Sequence, residues 1–323
     1  MTHPDLETLL AAARAAGLRV GILSNGIGIS EHRAGAIIEH ADFIRISQDD
    51  APDAEQPVRH TFKMYDHLQD EVSRSLENLA RARKARPQST CAVGFSYTIQ
   101  KNNLRSIPRM VEYVSHSATV RELEMIVTFK IAHGAGEYLC TEEDLRWLRD
   151  EVLTNTAFMD HPCVNLRFFR DYFFPRLDLV DIARGEPTRS YYRRGRISCF
   201  TPSLFSFIDA FGGVYVCCHL YDDNGDFDSE RRRNYVIGDI TERSFLEVWG
   251  SPEYQQLRAR LMPINVDAMP ACGECTRHWV PNTLVSRLFE EVFQPLVEEL
   301  GAPRAIAAYE ALASAFPQHA VWF

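Results

Sequence analysis

Nowhere in the 323 residues does an apolar run approach the ~20 residues that a membrane-spanning helix needs, so no helical span is expected. Basic charge is not in excess. Lys and Arg number 35 against 44 Asp and Glu, a net charge of −9, and a general affinity for nucleic-acid phosphates is not expected. Two local basic clusters, Arg193, Arg194 and Arg196, and Arg231 to Arg233, read as solvated loops. There is no low-complexity tract, and 46% hydrophobic with 24% charged residues is ordinary for a globular chain with a sizeable core. Met1 to Asp5 lacks a basic patch followed by an apolar core, so no export signal is expected and the reading is cytoplasmic. The eight cysteines should then stay reduced, and a pattern among them points to metal or redox chemistry before disulfides.

What is present in the first half is an alternation of helix and strand signals. Pro4 and Gly17 bracket an apolar-periodic helix over Leu6 to Ala16. Leu18 to Leu23 reads as a buried strand ending at Ser24-Asn25-Gly26, and a helix over Glu31 to His40 leads to a strand over Asp42 to Ser47. Leu68, Val72, Leu76 and Leu79 make one face of a long helix. Further strands are predicted over Ala92 to Ile99 and Leu123 to Ile131, with helices over Pro108 to Ser115 and Glu142 to Leu153. Strands joined through helices pair in parallel with right-handed crossovers, which leaves an open doubly wound sheet or a barrel-like one. In both, ligands collect at the C-terminal strand ends, which singles out Asn25, Ser47, Asp49, Ser96 and Lys101 to Asn103, Asn102 among them. The same residue types also serve as plain turn and cap residues. Because the residues open with a helix, the sheet is expected to be incomplete beside Leu18 to Leu23.

The pattern changes near Asp181. Leu204 to Ala210 and Val214 to Leu220 are β-prone runs joined through Phe211-Gly212-Gly213, a hairpin signal, and Cys199 stands before it with Cys217 on its returning strand. An Asp-rich loop over Asp222 to Asn234, Gly238-Asp239-Ile240 and two short helices follow, the second with Ser251 as N-cap and Pro252 at its first position. Cys272-Gly273-Glu274-Cys275 is compact enough for both sulfurs to face one metal. Four thiolates from two separated segments suit a closed zinc site or an iron–sulfur cluster. Cys217 and Cys218 are adjacent, and strand alternation would let only one be a ligand. His219, Cys163 and His278 are reserve donors, whereas Cys91 and Cys140 read as small buried residues. The terminal helices, with the stripe Leu284, Leu288, Val292 and Leu296, read as packing elements.

These segments resemble the SPASM-type auxiliary cluster region of radical S-adenosylmethionine enzymes. Cys199, twelve residues, Gly212, four residues and Cys217 fit the first part of its spacing and favour Cys217 over Cys218. Gly238-Asp239-Ile240 through Phe245 to Trp249 is similar to the next part, and Cys272 and Cys275 match the closing pair. Ser24-Asn25-Gly26 and the run Arg45-Ile46-Ser47-Gln48-Asp49 resemble the ends of the third and fourth strands of the same superfamily's barrel. The resemblance implies an α/β fold, a partial (β/α)6 TIM-like barrel missing its first strands. A small α+β cluster domain with a β-hairpin and C-terminal helices would follow. The implied divisions are residues 1–180, 181–280 and 281–323.

By the same resemblance, Cys199, Cys217, Cys272 and Cys275 hold one auxiliary [4Fe-4S] cluster. S-adenosyl-L-methionine would lie near Ser47 and Asp49, with Asn25, Ser96 and Asn102 lining the rest of the site. The implied activity is an oxidoreductase or maturase that modifies a peptide or small molecule through a 5′-deoxyadenosyl radical. Its partners would be that substrate and an electron-donor or peptide-recognition protein. The family's Cys-x3-Cys-x2-Cys motif, ligand of a second [4Fe-4S] cluster, does not occur in these 323 residues, so this polypeptide alone is expected not to cleave S-adenosyl-L-methionine. The competing readings are a catalytically degenerate iron–sulfur binding module for a peptide or partner, and a plain zinc-binding one.

Overall fold

The computed structural model describes residues 3–51, 69–131, 139–166, 199, 201–218, 220, 235–261, 294–305 and 307. The two basic clusters, the Asp-rich loop, Cys272, Cys275, His219, His278 and the stripe positions Leu284, Leu288 and Val292 lie outside them. Contacts divide the chain into two compact units, 1–186 and 187–323.

In the first unit, four strands, β1 (Gly21–Ser24), β2 (Phe43–Ser47), β3 (Ala92–Ile99) and β4 (Ile126–Ile131), pair in parallel in the order β1-β2-β3-β4. Neighbours in space are neighbours in sequence. Right-handed crossovers therefore place every connecting helix on one face, which selects the barrel-like winding over the doubly wound one. The burial pattern agrees. Ile44, Ile46, Val93, Phe95, Tyr97, Ile99, Val127, Phe129 and Ile131 point to the helices and are buried. The alternating residues share the other face, with Phe43, Ala92 and Ile126 at the strand starts and Arg45, Ser47, Gly94, Ser96, Thr98, Thr128 and Lys130 beyond them. A doubly wound sheet would be apolar on both faces; this one is polar on the face away from the helices.

Those helices are α1 (Leu6–Ala15), α2 (Glu31–His40), α3 (Gln69–Ala85), α4 (Ile107–His116) and α5 (Ala118–Glu122). Ser30 caps α2 by accepting from the Arg33 amide, and Gly17 ends α1 at φ +77°. Val72, Leu76 and Leu79 are buried on α3, as their spacing predicts. The helix predicted through Leu153 is α6 only over Glu142–Trp147 and continues as a π-helical turn over Leu148–Val152.

Two strand expectations need correction. The buried strand over Leu18 to Leu23 is instead β1, the edge of the sheet among the described residues, with Leu18 59% and Leu23 77% exposed. The strand predicted from Leu123 begins at Ile126, because α5 occupies Ala118–Glu122 and Glu124 turns the chain at φ 52°. Beyond β4 the sheet gains a parallel bridge between Val127 and Val164. Among the described residues no helix is long and apolar enough to cross a membrane.

The second unit holds a three-stranded antiparallel sheet, β5 (Phe207–Ile208), β6 (Gly213–Tyr215) and β7 (Gly238–Asp239). Short helices over Thr201–Leu204, Phe245–Trp249, Pro252–Arg260 and Gln294–Leu300 accompany it. The hairpin is shorter than predicted because the Asp209 carboxylate gathers its turn. It accepts from the amides of Phe211 (2.8 Å) and Gly213 (2.9 Å) and from the Tyr215 hydroxyl (3.1 Å). Gly212 sits at φ +94°, a conformation that L residues avoid. Ser244 and Glu247 form a capping box, and Ser251 caps the following helix ahead of Pro252, as predicted.

Candidate functional site

In the second unit the chain brings Cys199 and Cys217 to one apolar cluster. Both pack, half-buried, against a core of Val214, Val216, Leu220, Val248, Tyr254 and Leu261. The Cys199 amide donates to the Leu261 carbonyl (2.9 Å), which fixes that segment against the end of the Pro252–Arg260 helix. Cys217 lies two residues past the end of β6, not on a returning strand, so alternation does not separate it from Cys218. Packing does separate them. Cys217 touches the core cluster; Cys218 is half-buried outside it. No group of three or more metal-binding side chains occurs among the described residues, to which Cys272 and Cys275 do not belong.

Elsewhere in this unit two glycines leave room that a side chain would fill. A Cβ at Gly212 would stand 2.7 Å from Asp239 Oδ1, and one at Gly238 would stand 2.8 Å from Val248 Cγ2. The side chains of Asp239 and Val248 therefore lie against glycine backbone where a further side chain has no room. Arg258 closes the other side. Its guanidinium carbon lies 4.1 Å from the Trp249 ring centre and 4.3 Å from that of Tyr254. Its Nε donates to the Pro202 carbonyl (2.9 Å), whereas its Nη2 is buried with no hydrogen-bond partner among the described residues. Burial pushes the Tyr254 hydroxyl above its ordinary pKa, against the opposing effects of Ser206 and Arg258.

The remaining cysteines are of a different kind. Burial pushes the Cys91 thiol up to about 11 and that of Cys140 to about 12, so both stay protonated, as lone buried residues do. Cys163 belongs to the first unit, where its carbonyl accepts from the Val127 amide (2.8 Å) and burial again raises its thiol.

The first unit's candidate positions fall in two groups. Ser47 and Ser96 are partners in register, with Thr128 next in the same row, all half-exposed on the polar face. Thr128 Oγ1 is buried without a hydrogen-bond partner. Asp49 follows β2 and accepts from the Thr98 amide (3.3 Å), so it bridges the ends of β2 and β3. The other two are not in this row. Asn25 is exposed and its side chain accepts from the Ile27 amide (3.1 Å), a local turn role. Asn102 is exposed on the turn after β3.

Of the residues that hold these loops, sequence reasoning included Asn103 only within the run Lys101 to Asn103 and passed over Asp50. Asn103, 1% exposed, donates from Nδ2 to the carbonyls of Thr98 (2.9 Å) and Asp49 (3.2 Å), while its Oδ1 accepts from the Gln100 amide (2.7 Å). Asp50, 3% exposed, is gripped by Arg109 from Nε (3.0 Å) and Nη2. The signal available was the Asp49-Asp50 and Asn102-Asn103 doublets, each offering one inward and one outward residue. Gly94 gives Arg45 room to lie across β3, since a Cβ there would collide with Arg45 Nη1.

Residues 199–276 match the SPASM family, an iron–sulfur cluster-binding domain. The match begins at Cys199 and ends one residue past Cys275. What these residues define is a SPASM-type iron–sulfur cluster-binding domain, over about a quarter of the chain. Among solved structures, the chain is similar to SuiB of Streptococcus suis bound to S-adenosylmethionine, at 14% identity and TM-score 0.48, over 80% of this chain and 54% of that one. It is also similar to anSMEcpe with bound AdoMet and Cp18Cys peptide, at 14% identity and TM-score 0.48, over 95% and 81% of the two chains. A third, anSMEcpe with bound AdoMet, gives 15% identity, TM-score 0.46, and 94% and 79%. The chain thus spans about half the length of SuiB. No curated protein matches the sequence.

Proposed function

We propose that the chain is part of a radical S-adenosylmethionine/SPASM oxidoreductase or maturase that modifies a peptide or small molecule, with its second unit holding an auxiliary [4Fe-4S] cluster on Cys199, Cys217, Cys272 and Cys275. The observation that carries this reading is the SPASM match over residues 199–276, whose span takes in all four cysteines. The donor set is chemically apt. Four thiolates with no carboxylate or water place are what a cubane cluster takes, and the half-burial of Cys199 and Cys217 in an apolar setting limits solvent access to it. When bound, such a cluster supplies a one-electron acceptor or donor beside the substrate.

The first unit's polar face fits S-adenosyl-L-methionine by its chemistry. The hydroxyls of Ser47, Ser96 and Thr128 form one row, and the Asp49 carboxylate stands at the end of β2, where it can accept from a ribose hydroxyl. Asn103 and the Asp50–Arg109 pair position Asp49 without reaching the face themselves. Asn25 and Asn102 contribute as rim residues. The divisions at residues 180 and 280, a cytoplasmic location, and an electron-donor or peptide-recognition partner belong to the same proposal. A second [4Fe-4S] cluster needs a Cys-x3-Cys-x2-Cys motif in the same protein.

The test is anaerobic reconstitution of the protein with iron and sulfide, followed by elemental analysis of wild type and Cys272→Ala. About four iron and four sulfide per chain in the wild type, falling in the variant, is the expected result. Zinc without sulfide, or iron content indifferent to Cys272, overturns the cluster assignment. Equilibrium dialysis with labelled S-adenosyl-L-methionine tests the polar face, with Asp49→Ala expected to weaken binding about tenfold.

A further inference from the structure

Arg258 has a buried donor that the described residues leave unmatched. A guanidinium is always charged and offers five N–H groups. Trp249 and Tyr254 pack together on one side of it and the Pro202 carbonyl takes up Nε, but Nη2 is buried with no hydrogen-bond partner among the described residues. An unpaired buried donor of a charged group is costly, and each such group calls for an explanation. Its surroundings supply one. Pro202, which accepts from Arg258, stands three residues after Cys199, and Leu261, three residues after Arg258, accepts from the Cys199 amide. Tyr254, under the guanidinium, packs in the same cluster as Cys199 and Cys217. The orphaned N–H is therefore held beside the segment that presents Cys199.

Resting on the cluster assignment made above, we propose that Arg258 is a positioning residue for the auxiliary cluster. Its guanidinium donates a charge-assisted hydrogen bond to a cluster or ligand sulfur and sets the reduction potential. A [4Fe-4S] centre on four thiolates carries net negative charge, and one-electron reduction makes it more negative, with no bond made or broken. A fixed cation with an N–H directed at sulfur stabilises the reduced form more than the oxidised one and so raises the potential. Trp249 and Tyr254 hold the guanidinium plane in place, a task for which lysine is a poor substitute.

The experiment is a dithionite titration of the reconstituted protein, followed by visible absorption and by electron paramagnetic resonance of the reduced cluster. It compares wild type, Arg258→Met, Arg258→Gln and Arg258→Lys, with iron and sulfide content and thermal unfolding measured in parallel. At the wild-type midpoint poise, Arg258→Met is expected to lower the reduced-to-oxidised ratio about tenfold, with Arg258→Gln close to it and Arg258→Lys intermediate. If Arg258 serves only packing, Met, Gln and Lys lower the unfolding temperature while the ratio stays at the wild-type value, and the proposal is overturned. Should Met prevent cluster assembly, the Gln and Lys variants decide by the same criterion. A wild type that takes up no iron and sulfide removes the cluster assignment and this inference together, whereas an intact cluster with an unmoved potential removes the inference alone.

Discussion

The two units reach order by different routes. In the first, a parallel sheet lays one face on helices, and buried Ile, Val, Phe and Tyr side chains of β2, β3 and β4 join those of α2, α3 and α4 in one core. Burial of such residues, each worth about 1.5–3 kcal/mol, is enough to define the fold. In the second, the described core is six residues, and the remaining order comes from Asp209, the glycines at 212 and 238, capping serines and stacked Arg258. The proposed four-thiolate centre would tie separated segments of this second unit to one another and add to its folding free energy. The lesson is that one unit should fold without a cofactor and the other should depend on one.

Metal removal tests this division most severely. Structural metal sites supply on the order of 10 kcal/mol of folding free energy. Cluster-free protein, made by chelation or by Cys272→Ala, is expected to lose the second unit's unfolding transition while the first unit's remains. Differential scanning calorimetry with the isolated 1–186 segment as a reference reads this directly. A single transition that moves as a whole breaks the comparison.

The next effect falls in the first unit. Arg109→Met leaves the Asp50 carboxylate, 3% exposed, without its cation, and breaking a buried pair from one side costs about 3 kcal/mol. Urea unfolding should show that loss in the first unit, with iron content unchanged. An Asp50→Asn, Arg109→Met double variant should recover part of it, because no buried charge is then stranded.

Gly212→Ala is the matching lesion in the second unit. The residue sits at φ +94°, and its new Cβ would meet Asp239 Oδ1 at 2.7 Å, an oxygen already engaged by the Thr241 amide and hydroxyl. Strain at such a position costs about 1–3 kcal/mol. The cost should appear as weaker cluster retention, read as faster iron loss to a chelator, with the first unit's unfolding unmoved.

How far all this could be read from sequence also divides by unit. Where periodicity and punctuation coincide, the reading was close: α2 spans Glu31–His40 and β3 spans Ala92–Ile99, and Ser251-Pro252 opens its helix as predicted. Local signals failed where a tertiary partner decides. The apolar run Leu18 to Leu23 reads as buried, yet it lies at the edge of the described sheet, where burial depends on what stands beside it. Val and Leu near 120 suit a strand, but Ser117 caps a helical turn there. Polarity alone could not tell Asn103 from Asn102 or Asp50 from Asp49, because only the packed loop decides which of two neighbours turns inward. The cysteine spacing was the strongest signal in the sequence, and the SPASM match over residues 199–276 spans all four of those positions. Arg258 carried no such signal. Its role depends on two rings and a carbonyl that come together only in the fold.

The smallest effect concerns the weakest edge of the stronger unit. Asp42 ties β1 to β2: its Oδ2 accepts from the Val20 amide (2.7 Å), its Oδ1 from Arg14 (3.1 Å), and its own amide donates to the Val20 carbonyl (2.8 Å). The Val20 bond, with Arg14 and Arg19 behind it, lowers the Asp42 pKa below its usual 3.8, against the opposing effect of burial. A folded pKa below the unfolded one means that the stabilisation is fully present above the unfolded value and is lost as pH falls through the folded one. Asp42→Asn should therefore be less stable than wild type near neutrality, and the two should converge as the pH drops below 3.8. Hydrogen exchange at the Val20 amide locates the effect, with faster exchange in the variant at pH 6 and no difference for the core amides of β3. If the stability curves of the two proteins run parallel through the acid range, Asp42 is not what pins β1, and the first unit's edge is held by packing alone.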